Sequence, residues 1–162
     1  MARLIDTNIL VYRIDPRDRL KQQIALDLLR EGLLDDSAVL PHQAVIEFVA
    51  AASRPCRDLG GEPLLPLADA LIEAESLSRQ FRVLYPDANV LTTAMYGCAT
   101  YGISWLDAHL WAYAQCFGLG EIVSEDFQHG RHYGNVRVIN PFVAGSDQIQ
   151  ELPALFTAPR SE

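Results

Sequence analysis

The sequence predicts an α/β fold, an α/β/α sandwich with a mostly parallel central sheet. Three observations carry that reading. Short apolar runs of strand length alternate with segments whose apolar residues recur every three or four positions, the pattern of strands joined by helices. The first run, Leu4-Ile5, ends in Asp6-Thr7-Asn8, as a buried strand does when it delivers a polar tip into a turn or helix. A length of 162 residues suits one domain, and no internal repeat or low-complexity tract argues for another architecture.

After the first strand, Asp15-Pro16-Arg17-Asp18 breaks the chain and offers a helix start. Leu20, Ile24 and Leu28 then recur at helical spacing, with Gly32 as the expected stop. Ser37 to Pro41 is a second short apolar strand, and His42 to Arg54 a helix with Ala44, Val45, Phe48, Val49 and Ala52 on its apolar positions. Pro55 to Pro66 holds the Gly60-Gly61 pair between prolines and reads as a long, mobile loop. A helix follows on Leu67, Leu71, Ala74, Leu77 and Phe81, and then a strand over Arg82 to Pro86. Asp87 to Thr100 is helical and closed by Gly102. Ser104 opens a further helix to about Phe117, ended by Gly118 and Gly120. Glu121 to Ser124 and Val136 to Ile139 are strands separated by a polar loop, Glu125 to Gly134.

With 13 basic and 21 acidic residues the net charge is −8, which argues against a simple non-specific nucleic-acid binder with a basic face. It leaves room for an enzyme that meets nucleic acid through metal ions. Positive charge is carried by arginine except at Lys21, and Arg is suited to bidentate phosphate contact. Cys56, Cys98 and Cys116 form no CxxC pair and are odd in number, so buried reduced thiols are expected rather than disulfides or a zinc site. No apolar run is long enough to cross a bilayer, and MARLIDTNILVY lacks the parts of a secretory signal. The expected location is the cytoplasm, with no membrane contact.

Four acids stand out. Asp6 and Asp126 follow predicted strands, the end of an α/β sheet where active sites lie. Glu47 and Asp107 interrupt the apolar helices QAVIEFVAAA and ISWLDAHLWAYA, where a carboxylate must reach water or find a partner. Each also has a structural reading. Asp6 suits a helix N-cap, Glu47 shares a stripe with Gln43 and Arg54 that can face water, Asp107 stands three after Ser104 as in a capping box, and Asp126 follows Glu125 in a hydrophilic loop. Brought together, four carboxylates repel unless a cation compensates, and hard oxygen donors of this kind suit Mg²⁺ or Mn²⁺. The chemistry that best uses such a site is phosphodiester hydrolysis.

Taken in order, DTNILVY, the Glu-bearing QAVIEFVAAASR, SWLDAHLWA, and SEDFQHG ahead of VRVINPF resemble a PIN domain. Within that family they resemble the VapC-type ribonuclease toxins of bacterial toxin–antitoxin pairs. The resemblance runs from about Arg3 to Phe142 and implies a PIN-like sandwich over residues 1–142; the remaining tail, 143–162, is weakly patterned from Gly145 onward and is expected to be partly disordered. It implies an acidic pocket for Mg²⁺ or Mn²⁺, with Asp6 and Asp107 as the most direct ligands and Asp126 completing the set. Glu47 would bind a second ion, or position or deprotonate the water, and Asn8 and Ser124 would support the pocket by hydrogen bonds. The implied reaction is metal-dependent hydrolysis of RNA to 3′-hydroxyl and 5′-phosphate ends. The implied partners are an RNA substrate, a second copy of the chain in a homodimer, and a VapB-like antitoxin whose tail lies across the active site.

Two features depart from the family pattern: the long Pro55–Pro66 connection and the twenty residues beyond Phe142. Both bear on specificity rather than chemistry. Tyr12 and Arg13 are candidates for touching substrate. Trp105 and Trp111 are expected in the core or a dimer interface, and His129 and His132 on the surface. The alternative function is a PIN-like module that binds RNA or protein without cutting. Other acidic α/β folds fit poorly. A haloacid-dehalogenase-type phosphatase needs an acid where Asn8 stands, and a phospho-receiver domain needs a late lysine that this chain lacks.

Overall fold

The computed structural model describes residues 1–143, so the expected disorder of the tail falls outside the described residues. The elements are β1 (Arg3–Ile5), α1 (Thr7–Tyr12), α2 (Arg19–Leu34), β2 (Ala38–Pro41), α3 (His42–Ala52), α4 (Leu67–Gln80), β3 (Arg82–Leu84), α5 (Ala88–Tyr101), α6 (Trp105–Cys116), β4 (Glu121–Val123), β5 (His132–Tyr133) and β6 (Val136–Ile139). The six strands lie in the order β3-β2-β1-β4-β6-β5. Every pairing is parallel except that of β5 with β6. The α/β/α sandwich with a mostly parallel sheet is therefore the architecture present.

Strand alternation divides the core into two layers. Leu4, Val39, Ile122 and Val138 face α5 and α6, while their neighbours Ile5, Leu40 and Val123 face the packed helices α1 to α4. All seven side chains are at most 1% exposed, so a one-residue slip of any central strand would exchange the two faces and bury the wrong side chains. From β1 the chain winds outward through β2 to β3, then returns to the other side of β1 for β4 and β6. The direction reverses between β1 and β4, whose residues Ile5 and Val123 lie opposite one another. A crevice beyond the carboxyl ends of strands at such a reversal is where open α/β sheets bind ligands.

Several local expectations are corrected. Gly32 does not stop α2, which continues to Leu34. A Cβ at Gly32 would meet the Cβ of Ala38 at 2.5 Å, so this glycine serves the close approach of α2 to β2. The polar loop Glu125–Gly134 contributes β5, joined to β6 by the tight turn Gly134-Asn135 with Gly134 at φ 61°. The cysteines are free, as expected, but Cys56, in the loop after α3, and Cys98, at the margin of the core, are half-buried, and Cys116, at the end of α6, is exposed. The Pro55–Pro66 segment is a loop closed on itself, with a 3-10 turn at Arg57–Leu59 and a hydrogen bond from Cys56 N to Glu62 O of 3.0 Å. Among the described residues no helix is long and apolar enough to cross a membrane.

The helix pair α5–α6 is held by a close contact between Gly97 and the Trp111 ring, whose indole N–H donates to Tyr133 O at 2.8 Å. A Cβ at Gly97 would stand 2.5 Å from a Trp111 ring carbon. Gly97→Ala is therefore expected to destabilise by about 1–3 kcal/mol despite the better helix propensity of alanine, lowering the thermal midpoint by roughly 3–10 °C. Thermal unfolding followed by circular dichroism checks this, and an unchanged or raised midpoint would contradict the packing argument.

Candidate active site

Asp6 leaves the carboxyl end of β1 with extended backbone (φ −78°, ψ 157°) and begins α1 as its N-cap. Its backbone N–H still donates to Val123 O at 3.0 Å, so the residue is pinned to β4 beside the switch point. The carboxylate is 7% exposed and is held by three donors. Thr7 N–H donates to Oδ1 at 2.6 Å, while Ser124 Oγ at 2.5 Å and Asn8 Nδ2 at 2.9 Å donate to Oδ2. Ser124, fully buried, is presented by the end of β4, where its N–H donates to Ile139 O. The sequence reading of Asp6 as a cap and its reading as a pocket acid are thus both realised in one side chain.

The other three acids arrive from separate elements. Glu47 projects from the second turn of α3, accepting from Thr7 Oγ1 at 3.0 Å and from Gln43 Nε2 at 2.8 Å. Asp107 lies in the first turn of α6, where the positive end of the helix favours a carboxylate. Ser104 Oγ caps the Asp107 N–H at 3.1 Å and donates to Asp107 Oδ2 at 2.6 Å. Asp126 is exposed, and Asn8 Nδ2 reaches its Oδ2 at 3.2 Å. Asn8 thereby spans the gap between Asp6 and Asp126 with one amide. All four acids line a single cleft of about 610 Å³.

At one end of the cleft Asp15 and Arg17 form a two-pronged pair, Nε to Oδ1 at 2.9 Å and Nη2 to Oδ2 at 2.6 Å. That guanidinium holds the Asp15 carboxyl below the usual carboxylate range. Arg17 also reaches Asp58 at 3.2 Å, which fastens the Pro55–Pro66 loop to this end. Tyr12 lines the cleft, as the sequence anticipated for a substrate contact, but Arg13 turns away to pair with Glu73 at 2.8 Å. Consecutive helical residues point about 100° apart, so α1 cannot offer both to one cleft. Trp111 is core, Trp105 is 44% exposed on α6, and His129 and His132 are exposed, with His129 Nδ1 accepting from Asn140 N–H. The contribution of Thr7, Gln43 and Glu125 was not anticipated. Their signal was adjacency to the acids, which carries little information before the fold is known.

The acids share one electrostatic field. Burial first, then the neighbouring charges of Asp126 and Glu47, push the Asp6 carboxyl up to about 7 against the lowering effect of the Ser124 and Thr7 hydrogen bonds. Burial, with repulsion from Asp126 and Glu47, also raises Asp107 above its ordinary value. This is the signature of a carboxylate cluster that wants a cation. Two further acceptor oxygens on cleft residues, Asn8 Oδ1 and Gln43 Oε1, are buried without a hydrogen-bond partner among the described residues. The donor set is all hard oxygen and fits Mg²⁺ or Mn²⁺. Among the described residues no three acids close on a point tightly enough to chelate an ion unaided.

The raised Asp6 carboxyl has a consequence for stability. Between its unfolded value of 3.8 and its folded value of about 7, the folded chain binds more protons than the unfolded one. Stability must then fall as pH rises through that window. In the presence of EDTA, the denaturation midpoint of the wild-type chain is expected to drop more between pH 5 and pH 7.5 than that of Asp6→Asn. Parallel pH profiles for the two would show that Asp6 is not protonated in the folded state.

Comparison with known proteins agrees with this architecture. The PIN domain family model matches residues 3–135. No curated protein matches the sequence. Among solved structures, a toxin–antitoxin complex from Klebsiella pneumoniae superposes with a TM-score of 0.58 at 15% identity, covering 86% of this chain and 98% of that one. The DNA-bound VapBC of Salmonella typhimurium gives 0.61 at 14% identity, covering 85% and 97%. VapC20 of Mycobacterium tuberculosis, a toxin that cleaves the sarcin–ricin loop, gives 0.54 at 17% identity, covering 75% and 87%. At these identities the likeness is one of fold. The family match, which spans β1 to β5, the switch point and all four acids, is what decides membership: the chain belongs to the PIN domain family.

Proposed function

We propose that this protein is a metal-dependent endoribonuclease, the toxin component of a type II toxin–antitoxin pair acting in the cytoplasm. The observation that carries the reading is the lining of one cleft by Asp6, Glu47, Asp107 and Asp126, four acids drawn from four separate stretches of a PIN domain. PIN domains are in general nucleases that use divalent metal ions, and the likeness to solved toxin–antitoxin structures supports the narrower assignment.

In this reading Asp6 and Asp107 would hold the ion most directly, Asp126 would complete the set, and Glu47 would hold a second ion or act on water. A bound Mg²⁺ or Mn²⁺ supplies charge neutralisation at the phosphoryl oxygens and lowers the pKa of water. The chain's own groups do the rest. Thr7 N–H, Asn8 and Ser124 fix both oxygens of Asp6, so its carboxylate keeps one orientation. Ser104 does the same for Asp107. Glu47, with one donor on each oxygen, is oriented by Thr7 and Gln43 and retains lone pairs with which to take a proton from water. Its removal of that proton generates the nucleophile, which attacks phosphorus and expels the 3′ oxygen, and that oxygen takes its proton from solvent water. The products are 3′-hydroxyl and 5′-phosphate ends.

The partners follow the same reading. The cleft borders six carboxylates and one guanidinium, so a basic side chain from a small antitoxin would be held there by charge and would compete with metal. Leu91, Met95 and Tyr96 on α5 and Trp105 on α6 are exposed apolar side chains of the kind a second copy would cover in a homodimer.

The test uses purified protein, total cellular RNA and Mg²⁺ or Mn²⁺, with new 5′ ends mapped. Discrete cuts are expected, abolished by EDTA. Asp6→Asn and Asp107→Asn are expected to lower the cleavage rate at least about a hundredfold and to remove growth inhibition while the circular dichroism spectrum is kept. Either variant cutting as fast as wild type would overturn the acidic-site mechanism. A folded wild-type chain that bound RNA and never shortened it would favour a binding module instead.

A further inference from the structure

The loop that follows β4 carries two adjacent acids, Glu125 and Asp126, and both border the cleft. The structure gives them opposite partners. Asp126 is reached by the neutral amide of Asn8. Glu125 is captured on both oxygens: the Tyr12 hydroxyl donates to Oε1, and Lys21 Nζ donates to Oε2 at 2.6 Å. Lys21 Nζ also donates to the Tyr12 hydroxyl at 3.0 Å, lies 4.5 Å from the Tyr12 ring centroid and 5.1 Å from that of Phe142. Phe142 in turn packs edge-on against Tyr12 at 5.0 Å. The ammonium is therefore caged by two rings, a phenol and a carboxylate.

Lys21 is the lone lysine of the chain and sits in the first turn of α2, the end of a helix where a cation is disfavoured. Helix electrostatics do not explain its place, whereas Glu125 does. The pair also matters to the cleft, because an ionised Glu125 without a partner would add a fifth negative charge beside Asp126. It would also stand as a rival ligand one residue away.

We propose that Lys21 and Tyr12 are positioning residues that sequester Glu125, keeping the acid next to Asp126 out of the cation-binding set of the cleft. This rests on the metal-dependent reading above. The pairing leaves the segment's remaining carboxylate, that of Asp126, for the ion. It also limits the negative potential that an approaching phosphodiester must cross.

Mn²⁺ affinity of the metal-free full chain, measured by titration calorimetry at low salt, tests this through the signs of a charge cycle. Lys21→Met releases Glu125 and is expected to tighten Mn²⁺ binding about three- to tenfold; Glu125→Gln leaves an unpaired ammonium and is expected to weaken it by about the same factor. The Lys21→Met/Glu125→Gln double variant is expected to return to within about twofold of wild type. Should Lys21→Met fail to fold, the Glu125→Gln and double variants still carry the comparison. Wild type that binds Mn²⁺ but gives unchanged affinity in Lys21→Met, or both single variants shifting the same way, overturns this inference alone. A wild-type chain that binds no Mn²⁺ overturns the metal-dependent reading together with it.

Discussion

Burial of the Asp6 carboxylate at the end of the central strand is the constraint on which the local structure turns. A carboxylate taken out of water costs several kcal/mol unless its lone pairs are met, and here they are met by Thr7 N–H, Asn8 and Ser124. Each donor has a structural requirement of its own. Thr7 N–H is available because α1 begins there and its first amides have no partner within the helix. Asn8 faces the acid from the same first turn. Ser124 must stand at the end of a strand adjacent to β1, which demands the parallel pairing of β1 with β4 and hence the reversal of winding between them. The topology and the polar cluster depend on each other.

The same economy appears in the other acids. Ser104 caps α6 while orienting Asp107, and Thr7 belongs to α1 while its hydroxyl orients Glu47 on α3. A structural and a chemical role for these residues are therefore not alternatives to be weighed. Helix N-termini supply both the donors and the favourable field that allow carboxylates to gather at one edge of the sheet. What hydrogen bonds do not cancel is the mutual repulsion, visible in the raised Asp6 and Asp107 carboxyls. A cluster in that condition is one whose repulsion a bound cation would relieve.

The surroundings of the cleft limit its charge. Arg17 neutralises Asp15 and ties down the Pro55–Pro66 loop, and Lys21 does the same for Glu125 and the end of β4. These pairs leave the acids of the proposed cation site as the uncompensated ones. In an acidic chain this is how a cleft can be strongly negative at one place and close to neutral around it.

The sheet and its helices were legible in the sequence because burial on both faces leaves a signal in each residue. The runs around Leu4-Ile5, Val39-Leu40 and Ile122-Val123 are apolar without interruption, and the helices between them show spacing of three and four. Misreadings arose where one residue type serves two purposes. Gly32 carries the signature of a helix stop but sits inside α2 for close contact with Ala38, and β5 is too short and polar to show a period. The four acids could be picked out because an acid in an apolar run, or just beyond a strand, is costly without a purpose. By itself the sequence determined the alternation of elements, the faces they bury and the identity of the candidate acids, since these follow from local patterns of solvation. Tertiary structure alone decided that the acids share one cleft, that Tyr12 faces it while Arg13 does not, and that Glu125 pairs with Lys21. Strand order and side-chain direction set those through-space distances, and neither varies in any regular way with separation along the chain.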